Sequence, residues 1–113
     1  MMAKIDNSYF GAIIVNGRKF ESDVILDWTG EVRTKSGSHD FTKADFNELM
    51  MRDPEVIIIG TGTVGNVKVD PSVEVAARLQ GVEIISRTTP LAIQEFNKHV
   101  RKRKAIAVMH VTC

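Results

Sequence analysis

The sequence VIIIGTG at residues 56–62 places an uninterrupted apolar run directly before a pair of glycines. Four consecutive β-branched residues, 56–59, predict a central strand that is covered on both faces. A helix is predicted on its amino-terminal side at residues 43–52, because Thr42 stands three residues before Asp45 as in a capping box. The strand therefore lies inside an alternating helix–strand pattern.

The same alternation continues after the glycines. Asp70 and Pro71 have the residue types of an N-cap and first helical position, and Gly81 suits the end of a helix that closes at residue 80. Residues 82–86 predict a strand. Thr89 and Pro90 repeat the N-cap signature for a third helix, and residues 105–111 predict the last strand.

The first 41 residues hold strand and turn signals only. Residues 9–15 are apolar and β-prone, and the following Asn16-Gly17 predicts a type I′ hairpin turn with residues 18–20 as the return strand. Further strands are predicted at residues 24–26 and 28–32, and an exposed loop at residues 36–40. The whole order predicts a single α/β domain, residues 1–113, with a parallel or mixed sheet covered by helices and an N-terminal hairpin layer beside it.

Composition limits the class of protein. The chain has 113 residues, of which 43% are hydrophobic and 26% charged, as in ordinary soluble domains. Its longest apolar run, residues 105–109, is too short to span a membrane, and the N-terminus has no apolar signal segment. A single cysteine, Cys113, excludes an intrachain disulfide, so a cytoplasmic location is expected.

Charge is unevenly distributed along the chain. The net charge of +1 combines −4 over residues 1–97 with +5 over the segment that follows. Such cations favour the C-terminal end of a helix dipole, and they are also a candidate surface for RNA, an acidic protein or a phosphate ligand. No aromatic residue is interleaved with them, which makes nucleic acid an unlikely partner. This basic patch consists of Lys98, Arg101, Lys102, Arg103 and Lys104.

The most conspicuous motif is G-x-G-x-x-G at residues 60–65, which follows a strand as in dinucleotide-binding folds. Residues 66–69 are not helix-like, however, and the next helix begins only at Asp70-Pro71, so we expect no nicotinamide dinucleotide and no other cofactor. A flexible glycine turn at the strand end explains the motif as well.

Two loops are expected to meet at one edge of the sheet if both strands are parallel. There the free N–H groups of the third helix and a nearby guanidinium could hold an anion or carboxylate. Alternatively, the threonines serve only as helix caps and the arginine lies on the surface. The candidates on these loops are Gly60, Thr61, Gly62, Thr63, Arg87, Thr88 and Thr89.

Other chemistry finds little support in the sequence. His39, His99 and His110 have no metal-ligand spacing, so no metal site is predicted. A pair of His110 with Cys113 lies at a chain end, where order is usually poor. No set of nucleophile and base is recognisable from spacing alone.

Several pieces together resemble a family of small α/β domains of unknown function. They are the glycines at 60 and 62, Pro71, Gly81-Val82-Glu83, Thr88-Thr89 with Ala92, Phe96-Asn97, and Arg103. Eukaryotic relatives in that family include a mitochondrial respiratory complex I assembly factor and an adipogenesis-associated Mth938-domain protein. The resemblance implies three layers around a mixed sheet with one strand running against the others, and no established reaction. It also implies that Asn97, with the two loops, lines or supports a shared cleft.

The first functional hypothesis is a binding or assembly module without catalytic activity, with a protein partner. The alternative is a small enzyme or anionic-ligand-binding protein that uses a cleft beside residues 60–63 and 87–89. A third is nucleic-acid binding through the basic patch. Oligomeric state is not predicted.

Overall fold

A computed structural model describes residues 3–113 of the chain. Three helices and ten strands form in this part, and their bounds follow in chain order. They are β1 Ile5–Tyr9, β2 Ala12–Val15, β3 Arg18–Phe20, β4 Asp23–Asp27, β5 Val32–Lys35, β6 Asp40–Phe41, α1 Lys43–Met50, β7 Val56–Gly60, β8 Lys68–Val69, α2 Pro71–Gln80, β9 Glu83–Arg87, α3 Thr89–His99 and β10 Ala105–Met109.

A five-stranded sheet in the order β5-β4-β10-β7-β9 is the centre of the molecule. β7 is parallel to both β9 and β10, and β4 pairs antiparallel with both β10 and β5. β4 therefore runs against the four other strands of this sheet. The mixed α/β sheet expected from the sequence is confirmed, including its single opposed strand.

The alternation along β7 divides the interior into two cores. Val56 and Ile58 pack against α3 and the β1–β2 hairpin, whereas Ile57 and Ile59 pack against α1 and α2. All four side chains are fully buried. The run of β-branched residues thus lies in the middle of three layers, as a strand covered on both faces must.

Local signals explain three of the helix ends. Thr42 accepts the N–H of Asp45 at 3.2 Å, and the Asp45 carboxylate accepts the N–H of Thr42 at 2.8 Å, which completes the predicted capping box. Asp70 accepts the N–H of Ser72 at 2.9 Å, and Gly81 closes α2 in the left-handed region at φ 73°. The hydrogen bonds that the Asp70 carboxylate accepts from the Ser72 N–H and hydroxyl hold the pKa of Asp70 below its ordinary value.

The N-terminal region differs in detail from the prediction. The expected strand at residues 9–15 is two strands, β1 and β2, joined by a turn at which Gly11 has φ 87°. The predicted Asn16-Gly17 hairpin is present between β2 and β3. The predicted strand at residues 28–32 is wrong: residues 28–30 turn, because Asp27 caps them through the Thr29 N–H at 2.8 Å, and the strand begins at Val32.

Short pairings and helix boundaries supply the remaining differences. β6 and β8 form a two-residue parallel ladder that the sequence did not predict. α1 ends at Met50 rather than at residue 52, and the last strand ends at Met109 rather than at residue 111. Within residues 3–113, no helix has the length and apolar character needed to cross a membrane.

Candidate functional site

The carboxyl ends of the parallel strands β7, β9 and β10 lie side by side, with Gly60 opposite both Arg87 and Met109 in the sheet register. The loops that follow these strands therefore meet at one edge, which we call the strand-end cluster: residues 60–67, 86–89 and 110–113. The Thr61 N–H donates to the Arg87 carbonyl at 2.9 Å, and the Thr61 hydroxyl donates to it at 3.0 Å.

Thr89 is the buried centre of this cluster. Its hydroxyl accepts the Gly62 N–H at 2.9 Å and donates to the His110 carbonyl at 2.7 Å. Its own N–H donates to the Gly62 carbonyl at 3.0 Å. The prediction that Thr89 is the N-cap of the third helix is wrong, since Thr88 occupies the N-cap position and Thr89 ties the three loops together.

Gly60 at the end of β7 and Gly62 just after it are required by close packing inside the protein. A Cβ on Gly60 would lie 2.5 Å from Met109 Sδ and 3.0 Å from Thr89 Oγ1. A Cβ on Gly62, whose φ is 103°, would lie 2.6 Å from the Cys113 carbonyl group. Both contacts are shorter than van der Waals distance, so the chain itself fills the space beside these residues.

Residues 112–113 also bond to the loop that carries the G-x-G-x-x-G motif, residues 60–66, which we call the glycine loop. The Thr63 N–H donates to the Thr112 carbonyl at 2.9 Å, and the Asn66 N–H donates to the Cys113 carbonyl at 3.0 Å. A dinucleotide fold would aim a helix N-terminus at this loop, but here α2 begins only at Pro71. The geometry of the G-x-G-x-x-G motif is therefore that of a loop braced by the chain's own backbone.

Three of the predicted anion-binding side chains are at least partly open to solvent. Thr63 and Arg87 are exposed, and Thr88 is half-buried with no capping hydrogen bond from its side chain. The Arg87 guanidinium donates to the Ser86 carbonyl at 2.8 Å, on its own strand. These side chains share the same edge of the sheet, together with the N-terminus of α3.

Asn97 is not brought to this cluster. It lies near the opposite end of α3, where its Oδ1 accepts the Ile5 N–H at 2.9 Å and its Nδ2 donates to the Ile5 carbonyl at 2.8 Å. Its observed contacts therefore attach β1 to the helix.

The basic patch is partly paired. Arg103 donates to Glu83 at 2.7 Å and to the Glu55 carbonyl at 3.3 Å. The hydrogen bond that Arg103 donates to the Glu83 carboxylate is the main reason that the pKa of Glu83 lies below its ordinary value. Lys98 lies 3.9 Å from Glu95. Four members are exposed: Lys98, Arg101, Lys102 and Lys104.

A hydrogen-bonded chain of three side chains borders the strand-end cluster. Asp23 Oδ2 lies 2.7 Å from His110 Nδ1, and His110 Nε2 lies 3.0 Å from the Thr112 hydroxyl. The second Asp23 oxygen accepts the Val111 N–H at 3.0 Å. Asp23 and His110 are 6% and 5% exposed, respectively, whereas Thr112 is half-buried. Spacing alone does not predict this chain, because 87 positions separate Asp23 from His110.

The face of the sheet that α1 and α2 cover carries a different feature. Between α1 and α2 runs a groove of about 490 Å³, lined by Lys43, Ser72, Val75, Ala76, Leu79 and Gln80. Val75 and Leu79, one helical turn apart on α2, are 55% and 82% exposed. We call these residues the α1–α2 groove. Among residues 3–113, no three His, Cys, Asp or Glu side chains group as ligands for a metal ion.

Comparisons with known proteins agree with this architecture. A family model described as "Protein of unknown function (DUF498/DUF598)" matches residues 5–110. A conserved hypothetical protein from Pyrococcus horikoshii superimposes with a TM-score of 0.86 at 23% identity, covering 97% of this chain and 99% of that one. No protein in the curated comparison matches the chain.

Two further structures show the same fold. A Mth938-like domain from Bordetella pertussis has a TM-score of 0.71 at 16% identity, with 96% of this chain and 85% of that one covered. A structure described as an outer membrane protein from Bartonella henselae has a TM-score of 0.82 at 18% identity, with coverages of 99% and 97%. At these identities the likeness concerns the fold.

Proposed function

This chain belongs to the DUF498/DUF598 family of proteins of unknown function, and we propose that it is a protein-binding module that docks a partner in the α1–α2 groove. The observation that carries the proposal is the exposure of Leu79 and Val75 along one edge of this groove. The partner element we propose is an amphipathic helix, whose apolar side chains would pack against α2.

The physical argument starts from the cost of leaving these side chains in water. Exposing a leucine and a valine forgoes roughly 25 cal/mol for each Å² of apolar surface. Isolated exposed apolar residues are common on any protein surface, but here two of them, spaced i and i+4, border one groove. Grooves between two helices receive apolar residues of a partner helix at positions i, i+3, i+4 and i+7.

The rim of the groove supports the same class of partner. Lys43, Ser72 and Gln80 surround the apolar floor with one cation and two neutral polar groups. A polar rim around an apolar centre is the usual anatomy of a protein interface. Lys43 favours a partner helix with an acidic residue at its edge.

The test is recovery of a stoichiometric complex from native extract with wild-type protein and two variants. Leu79→Lys places a charge in the groove and is expected to lose the partner. Val64→Lys alters another exposed apolar residue, 68% accessible and on the glycine loop, and is expected to retain it. Equal recovery by both variants, or no stoichiometric partner for the wild type, would overturn the proposal.

The assembly role and the cytoplasmic location expected from the sequence are part of this proposal. The resemblance to a family with a respiratory complex I assembly factor supports an assembly role, and the lone Cys113 supports a reducing compartment. Fractionation of cells with an antibody to the chain tests the location. Recovery mainly in a membrane fraction would contradict it.

Anion binding at the strand-end cluster is the second candidate function. The half-buried Thr88 hydroxyl makes no capping bond, and it lies at the N-terminus of α3 beside the exposed Arg87. Phosphate is expected to raise the melting temperature of the wild type but not that of Arg87→Gln or Thr88→Val. An equal rise in all three proteins, or no rise in any, would contradict specific binding there.

A further inference from the structure

We propose that Thr112 is a nucleophile, with His110 as its general base, and that the strand-end cluster accepts an acyl group from a carboxylic ester. The inference goes beyond the binding function and is independent of the α1–α2 groove. It rests on the hydrogen-bonded chain from Asp23 through His110 to Thr112.

The two partners of His110 determine which ring nitrogen carries the proton. A carboxylate only accepts hydrogen bonds, so the Asp23 oxygen at 2.7 Å assigns the proton to Nδ1 of the neutral ring. Nε2 is then left with its lone pair, and the Thr112 hydroxyl at 3.0 Å donates to it. This is the orientation that a hydroxyl nucleophile needs for activation by imidazole.

Solvent exposure increases from Asp23 and His110 to Thr112, as a buried base and an accessible nucleophile require. Asp23 and His110 are nearly inaccessible, whereas Thr112 is half-buried and reachable from solvent. Asp23 is also fixed by the Val111 N–H, so its carboxylate holds both the ring and the backbone next to the nucleophile. Asp23 is therefore a positioning residue rather than a group that would touch substrate.

Thr112 is the member of this hydrogen-bonded chain that solvent reaches. The cavity against Asp23 and His110 holds only about 10 Å³, and Lys35 and Asp40 also line it. The exposed His39 ring lies edge-on to the His110 ring at 5.2 Å and completes this cover. An acyl substrate would therefore reach the Thr112 hydroxyl from solvent and not through this cavity, next to the glycine loop that bonds residues 112–113.

That loop has donors for the charge that develops on an attacked carbonyl. Thr63 and Asn66 use their amides to bind residues 112 and 113. Across the described residues 3–113, the amides of Val64 and Gly65 have no intramolecular acceptor. Backbone N–H groups that reach the attacked carbonyl stabilise its oxyanion, and these two are the donors of the loop that no protein acceptor occupies.

The proposed step is balanced. Thr112 Oγ1 forms a bond to the ester carbonyl carbon, and its proton passes to His110 Nε2. The C–O bond to the leaving alcohol breaks, and the same proton is returned to that alcohol. Water then repeats the sequence on the acyl-threonine, releasing the carboxylic acid and restoring the hydroxyl.

The experiment uses the full chain and p-nitrophenyl acetate, with nitrophenolate release and the site of acetylation followed together. Wild-type protein is expected to carry one acetyl group on Thr112. Thr112→Val is expected to abolish acetylation at this position because the attacking hydroxyl is gone, and Thr112→Ser is expected to restore it. Thr34→Val, a change of the same shape at an exposed position of β5, should leave the rate unchanged.

Variants of His110 and Asp23 test the roles of the base and of the carboxylate that positions it. His110→Asn is expected to lower the acylation rate by about 100-fold or more, the usual scale of general-base catalysis. Asp23→Asn is expected to lower kcat with KM little changed, because the ring would lose its preferred tautomer. Circular dichroism checks that each variant is folded like the wild type. Acetylation confined to lysines, or equal rates for Thr112→Val and Thr34→Val, would overturn the proposal. Leu79→Lys should react like the wild type, so its result separates this proposal from that of partner binding.

Discussion

Thr89 Oγ1 donates a hydrogen bond to the carbonyl oxygen of His110 at 2.7 Å, which ties the start of α3 to the residues that follow β10. The same hydroxyl accepts the Gly62 N–H, so a single buried group connects all three loops of the strand-end cluster. The stability of this edge of the sheet therefore depends on one threonine.

Replacing Thr89 by valine should destabilise the protein by about 1–3 kcal/mol, because it leaves a buried N–H and a buried carbonyl each without one hydrogen bond. Urea denaturation followed by circular dichroism measures the change. Thr88→Val is the matched control, since the Thr88 side chain makes no capping bond. A loss as large in the control as in Thr89→Val would contradict the role assigned to Thr89.

Gly62→Ala should be more destabilising than Gly11→Ala. Both positions have a positive φ, which costs an alanine about 1 kcal/mol, but nothing lies within 4 Å of a Cβ on Gly11. At Gly62 the added methyl collides with the backbone of Cys113, which adds about 1–3 kcal/mol of overpacking. Thermal unfolding of the two variants gives the comparison. Equal losses would show that residues 112–113 do not pack on the loop as described.

Asn97→Ala should weaken the attachment of β1 to α3. The two hydrogen bonds between the Asn97 amide and the Ile5 backbone are lost, which should cost about 1–3 kcal/mol and speed amide exchange in β1 more than in β7. Hydrogen–deuterium exchange reads the two strands separately. Asn47→Ala, at an exposed position on α1, serves as control. Unchanged exchange in β1 would contradict the anchoring role.

The pair of Glu83 with Arg103 should make a small contribution to acid stability. Because the pKa of Glu83 is lowered in the folded state, its contribution is present above the ordinary glutamate range near pH 4.5 and is lost as pH falls through the lowered value. The Glu83 side chain is 52% exposed, so solvent screening limits the effect to less than about 1 kcal/mol.

Glu83→Gln should therefore remove part of the loss of stability between about pH 5 and pH 3. Urea midpoints at several pH values provide the measurement. A pH dependence of Glu83→Gln identical to that of the wild type would contradict the assigned pairing.

Local sequence signals predicted the core of the fold well. The β-branched run at residues 56–59 became the twice-covered strand β7, and Asp70-Pro71 with Gly81 marked both ends of α2. These features depend only on neighbours in the chain. The Thr-Pro signature at the start of α3 placed the helix correctly but chose the wrong threonine as N-cap, because the preference of Thr89 for His110 and Gly62 is a tertiary effect.

The chain of Asp23, His110 and Thr112 depends on strand pairing rather than on spacing. Strands at residues 24–26 and 105–111 were both predicted, but not their antiparallel pairing. Once Val24 lies opposite Met109, the next residues outward are Asp23 and His110. The available signal was an acid directly before one strand and a histidine late in the other, which becomes informative only when the register is known.

The most direct test of partner binding is photo-crosslinking from a reactive side chain placed at position 79 in the α1–α2 groove. The same side chain at position 64, on the glycine loop, is the control. The account predicts one partner protein crosslinked from position 79, through a helical segment, and none from position 64. Equal crosslinking from the two positions, or none from position 79, would contradict it.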